Sequence, residues 1–127
     1  MKKIKKDKQI YKDWKGITDV MYAGDLENGV ATDRLIQLLN KHKVGTRSER
    51  HKLLAKSYFV YDKDQYADPA KEKPLGLGLI YEKPDGTKTQ NIFIVSPSGE
   101  LDRFYSEKDM VKKYPAMKEV HKNNLPI

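Results

Sequence analysis

The sequence predicts an α+β fold: a helical N-terminal half of about three helices, followed by a three-stranded antiparallel sheet with a C-terminal helix. Three observations carry this. In the first sixty positions apolar residues recur at helical spacing, as in Tyr11, Trp14, Ile17 and Met21. After position 75 the period changes to alternation, with Leu77, Leu79 and Tyr81 on one side of a run. The turn signals Pro84-Asp85-Gly86 and Ser96-Pro97-Ser98-Gly99 then punctuate apolar stretches at strand length.

The chain reads as one domain over residues 1–127. Residues 1–9 form a basic arm, with Lys2, Lys3, Lys5, Lys6 and Lys8 against a single Asp7. No apolar core follows it, so no secretory signal is expected. The helical part spans 10–60. Its first helix runs from Lys8 to Tyr22 and stops at Gly24. Trp14 belongs to its buried face. The second starts at Thr32, an N-cap residue, and buries Leu35, Ile36, Leu38 and Leu39, with His42 at the boundary. Val44 and Gly45 turn the chain. Thr46 and Glu49 make a capping box for a third helix carrying Arg47, Arg50, His51, Lys52 and Lys56 outward, with Leu53, Leu54 and Tyr58 inward. That pair of helices has a helix-turn-helix outline.

Residues 61–74 form a polar connection. Its Asp62, Asp64 and Asp68 do not make a calcium loop, because Ala67 and Lys73 stand where glycine and glutamate are needed. The sheet and C-terminal helix occupy 75–127. Strands run from Leu75 to Lys83, from Lys88 to Val95 and from Glu100 to Tyr105. Gly76 and Gly78 form a Gly-x-Gly, but no helix follows to bind a nucleotide phosphate. Ser106 caps a helix, and Met110, Tyr114, Met117 and Val120 continue one apolar stripe with a kink or restart at Pro115. The tail after Val120 is expected to be loose.

The balance of 25 basic against 18 acidic residues gives a net charge of +7 and a pI near 9.4. That favours a polyanionic partner, DNA or RNA. There is no cysteine, which excludes disulfides and thiolate chemistry and agrees with a cytoplasmic location. No apolar run reaches the length of a membrane span. His42, His51 and His121 share no metal-ligand spacing, and neither a metal nor another cofactor is expected. Glu49 and His51 beside Arg50 suggest a nuclease-like pair, but neighbours so close on a helix point apart. A non-enzymatic protein is therefore expected.

The candidate nucleic-acid contacts are Lys2, Lys3, Lys5 and Lys6 of the arm, Arg47, Arg50, Lys52 and Lys56 of the third helix, and Lys83, Lys88, Arg103 and Tyr105 of the sheet. Lys83, Lys88 and Gln90 of the hairpin are expected to share one sheet face with Arg103 and Tyr105.

The stretch with Ile92-Phe93-Ile94-Val95, Pro97, Gly99 and Arg103, followed by a helix, resembles the methyl-CpG-binding domain and TAM-like families of three-stranded-sheet DNA binders. Their pattern is roughly DVYxxxPxGxxxRS. The resemblance covers residues 75–114. It implies a sheet-plus-helix shape that docks on DNA, with Arg103 at the guanine-contacting position. Tyr81 stands where the family has its first guanine-reading arginine, Asn91 where it has aspartate and Phe104 where it has serine, so reading of methylated CpG is not implied.

The leading expectation is a DNA-binding (or RNA-binding) accessory or regulatory protein. The alternative is a small phage or mobile-element type protein that binds and modulates a host protein, with its eight tyrosines as interface anchors. A small-molecule ligand and membrane association are not expected.

Overall fold

The computed structural model describes residues 2–6, 8–23, 30–45, 50–60 and 72–124. In chain order the elements are β1 (Lys2–Lys6), α1 (Lys8–Ala23), α2 (Val30–Lys41), β2 (Lys52–Val60), β3 (Leu75–Glu82), β4 (Lys88–Val95), β5 (Glu100–Phe104), α3 (Glu107–Lys113) and β6 (Lys118–Asn124). The strands form one sheet in the order β1-β5-β4-β3-β2-β6, and every pairing is antiparallel. Four strands, β5-β4-β3-β2, make its body, and the first and last strands of the chain lie at its two edges.

Residues directly opposed in an antiparallel ladder share a face, so the register divides the core in two. Leu75, Leu77, Leu79 and Tyr81 of β3 share a face with Phe93 and Val95 of β4 and with Leu101 of β5. The apolar stripes of α1 (Ile10, Tyr11, Trp14) and α2 (Leu35, Leu38, Leu39) close over that face. On the opposite face Phe59, Ile92, Ile94 and Phe104 pack with Met110, Tyr114 and Met117 from α3 and the turn after it. Among the described residues, two helices cover one side of the sheet and one short helix the other.

Local chemistry explains the boundaries. The β3–β4 hairpin closes with Lys83 N–H on Thr87 O at 2.7 Å and Gly86 N–H on Lys83 O at 2.9 Å. Gly86 has φ +90°, a conformation that a side chain disfavours. Asp85 holds the turn by accepting from the Thr87 amide and hydroxyl at 2.9 and 2.6 Å. α3 starts on Ser106, whose hydroxyl accepts from Asp109 N–H at 3.1 Å. α2 ends in a Schellman arrangement: Val44 N–H reaches Leu39 O at 2.8 Å and Lys43 N–H reaches Asn40 O at 3.0 Å. The left-handed residue is Lys43, at φ 60°, rather than Gly45. α1 is tied to α2 through Asp13, which meets His42 at 3.3 Å and Lys41 at 3.6 Å.

The architecture corrects the sequence reading in several places. A helical half followed by a three-stranded sheet is not observed: helices and strands are interspersed, and the sheet is larger. The basic arm is β1, hydrogen-bonded to β5. The third helix is replaced by β2, while Thr46, Arg47 and Glu49 lie outside the described residues. β2 contains a bulge between Leu53 and Ala55. The extra residue breaks the period of two and leaves the adjacent pair Leu53-Leu54, which imitates helical spacing. β2 also runs between β3 and β6, so Ala55, Lys56, Ser57 and Phe59 are all buried and no alternation is left to read. α2 begins at Val30, two residues before the expected cap at Thr32. The C-terminal helix ends at Lys113, and Lys118–Asn124 continues as β6 instead of as a helix or a loose tail. Pro115 carries no amide hydrogen to extend the helix, and β2 supplies a ladder for the chain beyond it. Much of the expected connection, residues 61–71, lies outside the described residues.

Candidate functional site

The site builds from the end of β5. Phe104 is the last strand residue and Ser106 the cap of α3, so Tyr105 links the two elements, and it is 53% exposed. On one side of it opens a cleft of about 520 Å³ lined by Arg103, Phe104, Tyr105, Asp109, Lys112 and Lys113. On the other side is a depression of about 340 Å³ lined by Ile80, Lys88, Thr89, Gln90 and Tyr105. Tyr105 is common to both.

The cations of this surface differ in how far they are already engaged. Lys113 Nζ donates to Asp102 Oδ2 at 2.6 Å and to Glu100 Oε1 at 3.3 Å. Asp102 is fully buried and also accepts from the Tyr114 hydroxyl at 2.7 Å. Lys112 lies 3.8 Å from Asp109 on the exposed side of α3, a contact of little strength in water. The guanidinium of Arg103 lies over the Phe93 ring, 4.9 Å from its centroid, and its Nη2 donates to the Gly45 carbonyl. Among the described residues, no carboxylate lies within ion-pair distance of Arg103 or Lys88. The surface therefore offers positive charge around one exposed aromatic ring.

The cluster beneath α3 shifts two titrations. Burial raises the Tyr114 pKa well above its ordinary 10.0, and the hydrogen bond and negative charge of Asp102 add to the rise. For Lys113 burial works against the charged form, but the hydrogen bonds to Asp102 and Glu100 outweigh it, and the pKa rises above 10.5. In both cases the folded state holds the proton more tightly than the unfolded chain. Their contribution is complete below about pH 10 and is lost as the pH climbs beyond it. Thermal unfolding followed between about pH 9 and pH 12 should show a falling midpoint, and Tyr114→Phe should flatten that fall. An equally steep fall in the variant would disconnect Tyr114 from the alkaline transition.

The residues expected to bind nucleic acid scatter over this frame. Tyr105 is in the lining of both clefts, Arg103 in that of one and Lys88 in that of the other. Arg103 does not share the hairpin's outer face, because its ladder partner is Phe93 on the helical side. Lys83 is exposed at the hairpin turn and lines neither cleft. Lys52, Glu82 and Lys88 form one row across β2, β3 and β4. Arg50 is exposed just before β2. Lys56 is buried, in a row with Leu79 and Asn91. In β1 the register sets Lys2 opposite Arg103, Lys3 opposite Asp102, Lys5 opposite Leu101 and Lys6 opposite Glu100. Arg47 lies outside the described residues.

Asp109, Lys112 and Lys113 were not among the expected contacts. The available signal was the adjacent pair Lys112-Lys113 in the last turn of a capped helix that begins just after Tyr105. Among the described residues no group of three or more His, Asp or Glu side chains is placed to hold a metal ion, and no helix is long and apolar enough to cross a membrane. Comparison with known proteins adds no relative: no family model, curated protein or solved structure matches the chain.

Proposed function

We propose that this protein binds nucleic acid, DNA in the first place, as a non-enzymatic accessory or regulatory protein of the cytoplasm. The observation that carries the reading is Tyr105, an exposed aromatic residue in the lining of two clefts, one also lined by Lys112 and Lys113 and the other by Lys88. Stacking platforms flanked by cations are how proteins hold polynucleotides without reading every base. The net charge of +7 supplies the long-range attraction. A second reading, a protein that occupies a host protein, draws on Val111 of α3, which is exposed together with Tyr105.

Fluorescence anisotropy with a labelled oligonucleotide at increasing NaCl tests the first reading. Affinity should fall linearly on a log–log plot, and Lys88→Ala and Lys112→Ala should each reduce the slope by about 0.7–0.9. No retention of any oligonucleotide at about 50 mM salt overturns the reading. Wild-type binding that does not respond to salt would favour the protein-binding alternative.

A further inference from the structure

We infer that β1 has two working positions: an edge strand docked on β5, and a free lysine arm that a bound polyanion draws off the sheet. This rests on the nucleic-acid reading above and adds a conformational switch to it. The first argument is how lightly charge and apolar contact fasten β1. Its sequence is KKIKK, and its single apolar residue, Ile4, falls at the shift in register between Lys3 and Lys5. Lys2 stands opposite Arg103, and like charges directly opposed weaken a ladder. Lys3 and Lys6 stand opposite Asp102 and Glu100. Both of those carboxylates already accept from Lys113, at 2.6 and 3.3 Å.

The second argument is that docking divides the charge of β1. Leu101 and Arg103 are paired with Val95 and Phe93 on the sheet face that α1 and α2 cover. Glu100 and Asp102 are on the face of α3, where Lys113 reaches them. The register therefore sets Lys2 and Lys5 on one face and Lys3 and Lys6 on the other. A phosphodiester backbone lying against either face meets only half of the lysines. In a released arm all four are able to turn toward one backbone. Each further phosphate that is neutralised releases counterions and tightens binding. A polyanion thus binds the free arm better than the docked strand, and that difference in affinity shifts the equilibrium between them.

The third argument is the connection. One residue separates β1 from α1, and α1 is anchored in the core on its own account through Ile10, Tyr11 and Trp14. β1 is also the last strand on its side of the sheet. Its departure breaks one ladder and leaves the order β5-β4-β3-β2-β6 in place.

The variant combining Lys6→Cys with Glu100→Cys tests this on one molecule in two states. The chain has no cysteine of its own. Directly opposed residues of an antiparallel pair lie about 4.5–5.5 Å apart at Cα, within reach of a disulfide. Oxidised, the variant keeps β1 on β5; reduced, it lets β1 leave. Fluorescence anisotropy with a labelled oligonucleotide of about twenty nucleotides should show tighter binding by the reduced form. Its log–log salt dependence should be steeper by about 0.7–0.9, the equivalent of one more phosphate contact from Lys2, Lys3 or Lys5. In the wild type, saturating oligonucleotide should speed hydrogen exchange at the β1 amides that pair with β5 and leave β3 and β4 unchanged. Equal affinity of the oxidised and reduced forms, or exchange in β1 that is unchanged or slowed, overturns the inference and leaves the general nucleic-acid reading standing. If no disulfide forms under mild oxidation, β1 does not dock on β5 and the inference falls as well. If neither the variant nor the wild type binds the oligonucleotide, both readings fail together.

Discussion

Gly78→Val should lower the stability of the fold by about 3 kcal/mol, the upper end of what overpacking a well-filled core costs. A Cβ at Gly78 would lie 2.4 Å from Ser57 Oγ and 2.7 Å from the Phe59 ring. Real side chains do not approach so closely. Gly78 is central to the sheet, with β2 on one side and β4 on the other. The Phe59 ring lies across the strand at the place where a side chain is missing. Gly76, on the same face two residues earlier, would meet Ile94 at 2.7 Å and Phe59 Cβ at 2.8 Å. The Gly-x-Gly is thus a flat seat for an aromatic ring. Urea denaturation of Gly78→Val should show a lower midpoint with an unchanged slope. Adding Phe59→Leu should recover part of the loss, because a smaller side chain frees the seat. The contrasting control is Gly16→Ala: a Cβ there meets nothing within 4 Å, and a helical glycine costs about 1 kcal/mol relative to alanine. It should stabilise. If Gly78→Val unfolds at the wild-type midpoint, the seat is not as tight as described.

Asp102→Ala should cost about 2–3 kcal/mol, mostly through the hydroxyl it abandons. Asp102 is fully buried and accepts from Tyr114, which is itself buried. Without the carboxylate the hydroxyl keeps its desolvation and loses its acceptor, a penalty of about 1–3 kcal/mol. Lys113 suffers less, because its side chain is 35% exposed and water replaces the lost partner. The two effects separate in a double-mutant cycle. Asp102→Ala combined with Tyr114→Phe should be less damaging than the sum of the single changes, by about 1 kcal/mol or more. Strict additivity would show that the pair is not coupled. The variant also bears on function. Asp102 fastens α3 to the sheet through Lys113 and Tyr114, and α3 carries Lys112 and Asp109 to the cleft. On the proposed nucleic-acid reading, oligonucleotide affinity should therefore fall in Asp102→Ala although Asp102 itself does not line the cleft.

The parts of the fold legible in sequence are those set by local chemistry. Pro84-Asp85-Gly86 and Ser96–Gly99 fix two hairpins because their residues satisfy the turn amides within a few positions. Ser106 marks the start of α3 for the same reason. The first helix also follows its apolar stripe, through Tyr11 and Trp14. What escapes is set by distant partners. β1 has the sequence KKIKK and β6 has KEVHKNN, and neither carries an apolar alternation. They are strands because β5 and β2 each offer an unpaired row of amides and carbonyls beside them. β2 was hidden by its bulge and by burial on both faces. At the site, Arg103 and Tyr105 were visible as residues, but their relation was not. Arg103 turns toward Phe93 while the chain leaves the strand at Tyr105, and only the tertiary arrangement brings Lys112 and Lys88 into the two clefts that Tyr105 lines.

The position of β1 at the rim of the sheet has a consequence for self-association. An edge strand exposes hydrogen-bonding groups that invite a second copy to continue the sheet. Here four of the five residues on that edge are lysine, so a like strand approaching at the usual spacing of about 4.8 Å meets dense like charge. At about 0.1 M salt this repulsion acts over about 10 Å, and near 1 M over only about 3 Å. Rising salt therefore lowers the barrier that keeps one sheet from adding to another.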